Sequence, residues 1–248
     1  MHDIGRMSEG TMIHPTYTTV LNLINSRFPQ KKTLRILDYG CGSGYFLEIF
    51  GKTRIGEYYG YDLSEKSIQC AKKTHHNRNV HFFHIQKDSA SLLKEKKNID
   101  VLVLIGVLQY MSNKEFSALF KNAKKLLTPN GVIIISCSVD HIVYRAMNVL
   151  HIFSPHKLIH RKYATDTLKR AGFGVIDQFE RGILLSPIFS QLMTIFDILD
   201  KLIFSTKGTI GPIGKIMRGM TNILLSLEYR LPVDYGYTLF IMAGKDSV

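Results

Sequence analysis

The chain has 248 residues, 45% of them hydrophobic, and 32 Lys and Arg against 20 Asp and Glu give it a formal charge of +12. That length can bury one large core, whereas three scattered cysteines, Cys41, Cys70 and Cys137, exclude a disulfide framework or a zinc site. The lysines are spread along helical stretches such as Lys72–Lys73 and Lys121–Lys125, so the charge reads as solvated faces rather than a nucleic-acid surface.

Residues 1–30 read as an N-terminal helical segment in which Tyr17 stands as part of a flap. The first nine residues hold no apolar run, which sets the expectation of a cytoplasmic protein without a secretory leader. Leu34 to Leu37 reads as a short buried strand, followed by Asp38, glycines at 40, 42 and 44, and a helix beginning at Tyr45. Glycines at alternate positions let the turn take positive φ and bring backbone N–H groups close to a ligand. The helix start adds a partial positive charge there. A carboxylate at Asp38 would repel a pyrophosphate but welcome an amino group. An amino acid joined to a nucleoside, as in S-adenosylmethionine, carries both an amine and a carboxylate.

Glu57 to Tyr61 is a second strand with Asp62 at its tip, placed to accept hydrogen bonds from two ribose hydroxyls, with Leu63 following. Val80 to Ile85 is a third strand running into Lys87, Asp88 and Ser89, where Asp88 can accept an exocyclic amine of adenine. Ile99 to Ile105 is a fourth, followed by Gly106 and Tyr110. Helical spacing over Lys114 to Leu127, a Pro129-Asn130-Gly131 turn and a fifth strand over Val132 to Cys137 complete the alternation. Acids and a glycine loop at successive strand ends form one crevice in an open α/β sheet.

These residues resemble the class I S-adenosylmethionine-dependent methyltransferases. Asp38-x-Gly40-x-Gly42-x-Gly44 matches the first motif of that family, Tyr59-Gly60-Tyr61-Asp62 the second and Lys87-Asp88 the third. Leu104 to Met111 resembles the fourth, Lys124 to Gly131 the helix-turn before strand five, and Leu168 to Phe173 the helix leading into strand six. The resemblance covers about residues 30 to 180 and a last strand near Tyr237 to Ala243. It implies a single Rossmann-like domain with a seven-stranded sheet, helices on both faces and an antiparallel last strand. It also implies that Asp38, Gly40, Cys41, Gly42, Gly44, Tyr45, Asp62, Leu63, Lys87, Asp88, Ser89, Ile105 and Gly106 bind S-adenosylmethionine.

Two departures from a minimal relative carry the specificity. Residues 139–162 form a basic insertion containing four histidines, ahead of a helix starting near Ala164. His156 and His160 would share a helical face if Pro155 opens a helix, but nothing completes a metal site. Residues 182–234 form an apolar insertion between strands six and seven. Its second half repeats apolar residues at Ile213, Ile216, Met217, Met220, Ile223, Leu224, Leu227 and Leu231, the stripe of an amphipathic helix. Asp197, Asp200 and Lys201 interrupt the first half, which rules out a membrane span there. The insertion reads as a helical hairpin that packs on itself and on the sheet's edge and can cap the substrate crevice; docking on the inner face of a membrane is the rival use.

An oxygen nucleophile needs its proton removed. His141, just past strand five, is the first candidate for base, ahead of His14 and His160, and Tyr110 can hydrogen-bond the substrate. The place after strand four, Leu104-Ile105-Gly106-Val107, has no polar group to orient a base amine. The expected activity is therefore methyl transfer at oxygen of a small-molecule, glycan-precursor or lipid-like acceptor. The alternative is a catalytically silent cofactor-binding protein that works through its helical insertion.

Overall fold

In the computed structural model, the described residues are 14–51, 54–86, 98–141, 144, 157–183, 185, 188, 220–221, 223–231, 233 and 235–245. Elements in chain order are α1 (Pro15–Arg27), β1 (Leu34–Tyr39), α2 (Tyr45–Phe50), β2 (Ile55–Asp62), α3 (Glu65–Thr74), β3 (Val80–His84) and β4 (Ile99–Ile105). A short 3-10 turn at Leu108–Tyr110 leads to α4 (Asn113–Leu126), β5 (Leu127–Ser138), α5 (Arg161–Arg170), β6 (Phe173–Arg181) and β7 (Thr238–Lys245).

The strands form one seven-stranded sheet in the order β3-β2-β1-β4-β5-β7-β6. Ladders from β3 to β5 are parallel, whereas β7 runs antiparallel to both β5 and β6. The continuous apolar runs of β4 and β5 follow from burial on both faces. Leu102, Leu104, Ile133 and Ile135 pack with Phe116, Leu119 and Phe120 of α4 and Ala164 and Leu168 of α5. The alternate residues Val101, Val103, Val132 and Ile134 pack with Val20 and Ile24 of α1, Phe46 and Leu47 of α2, and Ile68 of α3. Each large apolar side chain so buried contributes about 1.5–3 kcal/mol relative to leaving it exposed. The strand order reverses between β1 and β4, and the C-terminal edge at that reversal is where open α/β sheets bind ligands.

Helix ends are closed by local hydrogen bonds. Ser112 and Glu115 form a reciprocal capping box on α4, and Ser64 caps α3. At the opposite, N-terminal edge, the buried Asp100 accepts from Lys31 Nζ at 2.5 Å and from Arg35 N at 2.9 Å. This acid ties the α1–β1 connection to β4.

Four expectations change. Strand β5 begins at Leu127, which pairs with Ile99, before the ladder resumes at Val132 opposite Val101. The Pro129–Gly131 turn is therefore a bulge inside the strand, where proline's missing N–H costs no ladder bond. At Gly131 a Cβ would lie 2.8 Å from Ile99 O, so only glycine permits the approach. Strand β3 ends at His84 rather than Ile85. Helix α5 starts at Arg161 with His160 as its extended N-cap, so His160 is not on a shared helical face; His156 lies outside the described residues. Finally, residues 223–228 are helical, but the apolar stripe faces outward: Met220, Ile223, Leu224, Leu227 and Leu231 are 42–57% exposed. The buried face is Thr221, Leu225, Glu228 and Tyr229, held by Leu185 N donating to Glu228 Oε1 and by Tyr229 Oη paired with Thr16 and Thr238. Most of the remaining insertion lies outside the described residues. No helix among the described residues is long and apolar enough to cross a membrane.

Candidate active site

The glycine loop is held by the end of β2. The N–H groups of Gly40 and Cys41 both donate to Tyr61 O, at 2.7 and 3.0 Å, and Gly42 N donates to Asp62 Oδ2 at 2.8 Å. The other Asp62 oxygen accepts from Ser64 N at 2.8 Å, at the start of α3. Asp62 thus anchors the loop with its carboxylate. This acid is buried and accepts from two backbone donors, so it holds the local fold as well as standing at the strand tip.

Two kinds of glycine occupy the site. Gly40, at φ +87°, sits so close to the turn after β4 that a Cβ would fall 2.3 Å from Val107 Cγ2. Gly42, at φ +54°, and Gly106, at φ +66°, have none of the described residues within 4 Å of where a Cβ would stand. The first packs loop against turn; the other two leave bare backbone facing open space. Gly106 N donates to Ser136 O at 2.8 Å, which fixes that turn to β5, and Ile105 lies just before it. Leu63 is largely exposed. Cys41 is buried beneath the loop, its thiol pushed up by burial and by the charges of Asp38 and Asp62, so it serves as packing rather than as a nucleophile.

Asp38 is 2% exposed and accepts from Tyr58 Oη at 2.5 Å. Burial pushes its carboxyl up to about 7; the Tyr58 hydroxyl opposes the shift and the charge of Asp62 adds to it. Tyr17 of α1 packs edge-on against Tyr45 at 4.8 Å, and the charge of Asp38 raises its hydroxyl further after burial has done so. Helix α1 therefore lies beside the loop. Among the described residues no Lys, Arg or His pairs with Asp38 or Asp62. Two buried acids without a cation, next to open glycine backbone, fit a ligand carrying an ammonium group and ribose hydroxyls. Lys87, Asp88 and Ser89 lie outside the described residues.

At the ends of β5 and β6 stands a second cluster. His141 Nε2 lies 3.1 Å from Oε2 of Glu180, whose side chain is 1% exposed. The imidazole is flanked by Tyr144 and Tyr235, at ring separations of 5.7 and 5.6 Å. Glu180 was not foreseen: a single acid in Gln178-Phe179-Glu180-Arg181 has no motif, and only its place near the end of β6 hinted at the crevice edge. Tyr110 stands half-exposed in the turn after β4. His14 is withdrawn as a base, because its Nδ1 accepts from Thr16 N as the cap of α1. His160 instead borders a cleft of about 180 Å³ at the same sheet edge, lined also by Leu108, Met111, Phe116, Ile159 and Tyr163. Among the described residues no group of three or more His, Cys, Asp or Glu could hold a metal ion.

Residues 14–178 match the family described as a methyltransferase domain. The chain is 32% identical over 106 residues to a ubiquinone biosynthesis O-methyltransferase of Pelagibacter ubique, covering 42% of each chain. It is 28% identical over 144 residues to a ribosomal protein L11 methyltransferase of Dictyoglomus turgidum, covering 58% of this chain and 45% of that one. The chain spans about half the length of the curated relatives it matches. Its fold matches that of magnesium protoporphyrin IX methyltransferase from Synechocystis PCC 6803, solved with SAH bound, at a TM-score of 0.59 and 13% identity, covering 94% of this chain and 83% of that one. The glycine loop, the acids at successive strand ends, the sheet order with its antiparallel β7 and the family match agree: the chain belongs to the class I S-adenosylmethionine-dependent methyltransferases.

Proposed function

We propose that this chain transfers a methyl group from S-adenosylmethionine to a hydroxyl oxygen of a small, largely apolar acceptor, of the small-molecule, glycan-precursor or lipid-like kind. The observation that carries the reading is the His141–Glu180 pair at the C-terminal edge of the sheet, at 3.1 Å. A free amine carries its own lone pair and a thiol ionises near neutral pH, so a positioned base matters most for a hydroxyl acceptor. The relatives' names divide between an O-methyltransferase and a protein methyltransferase, so the acceptor reading rests on the site and not on them.

When bound, S-adenosylmethionine supplies an electrophilic methyl group. Asp38 would hold the ammonium, Asp62 the ribose hydroxyls, and the bare backbone at Gly42 and Gly106 would allow close approach. Lys87, Asp88 and Ser89 are proposed for the adenine end. Held in line, two reactants gain about 7–11 kcal/mol in favourable cases, so alignment carries most of the rate and His141 the proton. The cleft beside Ile159, mainly apolar but edged by Asn113, Lys157 and His160, supports a partly greasy acceptor, because Asp140 N donates to Ile159 O and so joins that wall to His141. Residues 182–234 are proposed to cap this edge: their two ends are joined at the end of β6, by the Glu180–Val233 bridge and by Tyr237 N donating to Gly182 O.

The test is transfer of radiolabelled methyl to a panel of phenols, sugars and hydroxylated fatty acids, with matching amines and thiols. Turnover of a hydroxyl acceptor that falls at least about 100-fold in His141→Gln supports the proposal. Turnover only of amines or thiols, or full activity of His141→Gln, would refute it.

A further inference from the structure

We propose that Glu180 is the positioning residue for His141, holding its imidazole as the Nε2–H tautomer so that Nδ1 is the basic nitrogen. The inference rests on the reading of His141 as the base. An ionised carboxylate only accepts hydrogen bonds, so the ring nitrogen facing it must carry the proton. That nitrogen is Nε2, 3.1 Å from Glu180 Oε2. In a neutral ring the lone pair is then on Nδ1.

Three features hold Glu180 in this role. Its Oε2 also accepts from Gly236 N at 2.7 Å, which fixes the oxygen from the strand-leading side. Its Oε1 is buried, has no hydrogen-bond partner among the described residues and lies 3.7 Å from Arg161 Nη1, so a cation backs the carboxylate without competing for Oε2. The side chain is 1% exposed, which keeps water from replacing the imidazole as donor. A buried acid with this much desolvation is expensive unless its contacts are made, and His141 supplies one of them.

The imidazole is confined as well as bonded. Tyr144 crosses it at 58° and Tyr235 at 67°, which hinders a ring flip that would exchange the nitrogens. The Tyr144 hydroxyl donates to Gly182 O and Tyr235 O, both at 3.4 Å. Burial and the charges of Glu180 and Glu228 push it up to about 12, so it stays protonated and does not compete as base. In the proton step the acceptor O–H bond breaks, the proton goes to Nδ1 and the electron pair stays on oxygen. The resulting imidazolium faces the Glu180 carboxylate until the proton passes to solvent. None of these elements is a neighbour in sequence: β5, β6 and the segment before β7 each contribute one part.

The test reads the tautomer directly, by long-range ¹H–¹⁵N correlation on histidine-labelled protein at pH 8, with the His141 signal identified by its loss in His141→Gln. The expected result is the Nε2–H pattern in the unmodified chain. In Glu180→Met, which has no acceptor, the pattern should move toward a tautomer mixture. Affinity for S-adenosylhomocysteine should stay within about twofold by calorimetry, and kcat on the best hydroxyl of the panel should fall about 100-fold. An Nδ1–H or fully averaged tautomer in the unmodified chain overturns the inference even if Glu180→Met does not fold. So does an unchanged tautomer in folded Glu180→Met. Full activity of His141→Gln would instead remove the base reading, a failure that the tautomer measurement keeps separate.

Discussion

If Asp38 holds the ligand ammonium as proposed, cofactor binding is linked to proton release. Its carboxyl is pushed from the ordinary 3.8 to about 7, chiefly by burial. Between those values the folded chain keeps a proton that the unfolded chain has lost. Folded protein therefore binds more protons, and stability falls as pH rises from about 4 to 7, then levels off. About three units at 1.36 kcal/mol each give roughly 4 kcal/mol across that window. Asp38→Asn keeps an acceptor for the Tyr58 hydroxyl and removes the titration. The difference in unfolding free energy between the two proteins should shift by about 4 kcal/mol toward the variant between pH 4 and pH 7.5. A ligand ammonium beside Asp38 reverses the balance, because it favours the ionised acid and expels the proton. Calorimetry of S-adenosylhomocysteine at pH 6.5, repeated in buffers of different ionisation enthalpy, should show about 0.8 proton released, and about 0.1 at pH 8. Methylthioadenosine, which lacks the amino-acid end, should release none. Buffer-independent heats for S-adenosylhomocysteine at pH 6.5, or equal release by both ligands, would refute the placement of the ammonium at Asp38.

Three further outcomes are expected. Asp62→Ala removes the acceptor for Gly42 N and Ser64 N, so it should lower stability by about 1–3 kcal/mol as well as weakening cofactor binding, and an unchanged melting curve would contradict the anchoring role. Gly40→Ala should destabilise more than Gly42→Ala, because its Cβ meets Val107 while that of Gly42 meets open space; cofactor affinity should fall in both, and equal stabilities by denaturant titration would count against the geometry. Leu227→Asp should change stability by no more than about 0.5 kcal/mol, whereas Leu225→Asp should cost several-fold more, as chemical denaturation would register. The exposed stripe also makes sedimentation with anionic vesicles informative: salt-sensitive binding lost in Leu224→Asp/Leu227→Asp would favour lipid docking of this face over an internal lid.

Local patterns in the sequence were enough for the first five strands, the glycine loop and the acids Asp38 and Asp62 at strand tips, whereas the last two strands followed only from the family resemblance. The period of a strand, the positive φ that Gly40, Gly42 and Gly44 supply, and the placing of Asp62 at the end of β2 depend on neighbours within a few residues. The roles of the histidines did not follow from such patterns. His14 and His160 turned out to be N-caps, a distinction set by where a helix begins, and helix boundaries are weakly encoded. The outward stripe on 220–231 is a sharper case. Amphipathic spacing names the apolar face but not what it meets, and here Tyr229 and Glu228 bond to α1, β7 and Leu185, turning Leu224 and Leu227 to the outside. Glu180 lies 39 residues from His141 along the chain. Only the pairing of β6 with β7, and of β7 with β5, brings the acid to the imidazole, because sheet order is decided by which buried faces fit together and not by any residue's immediate neighbours.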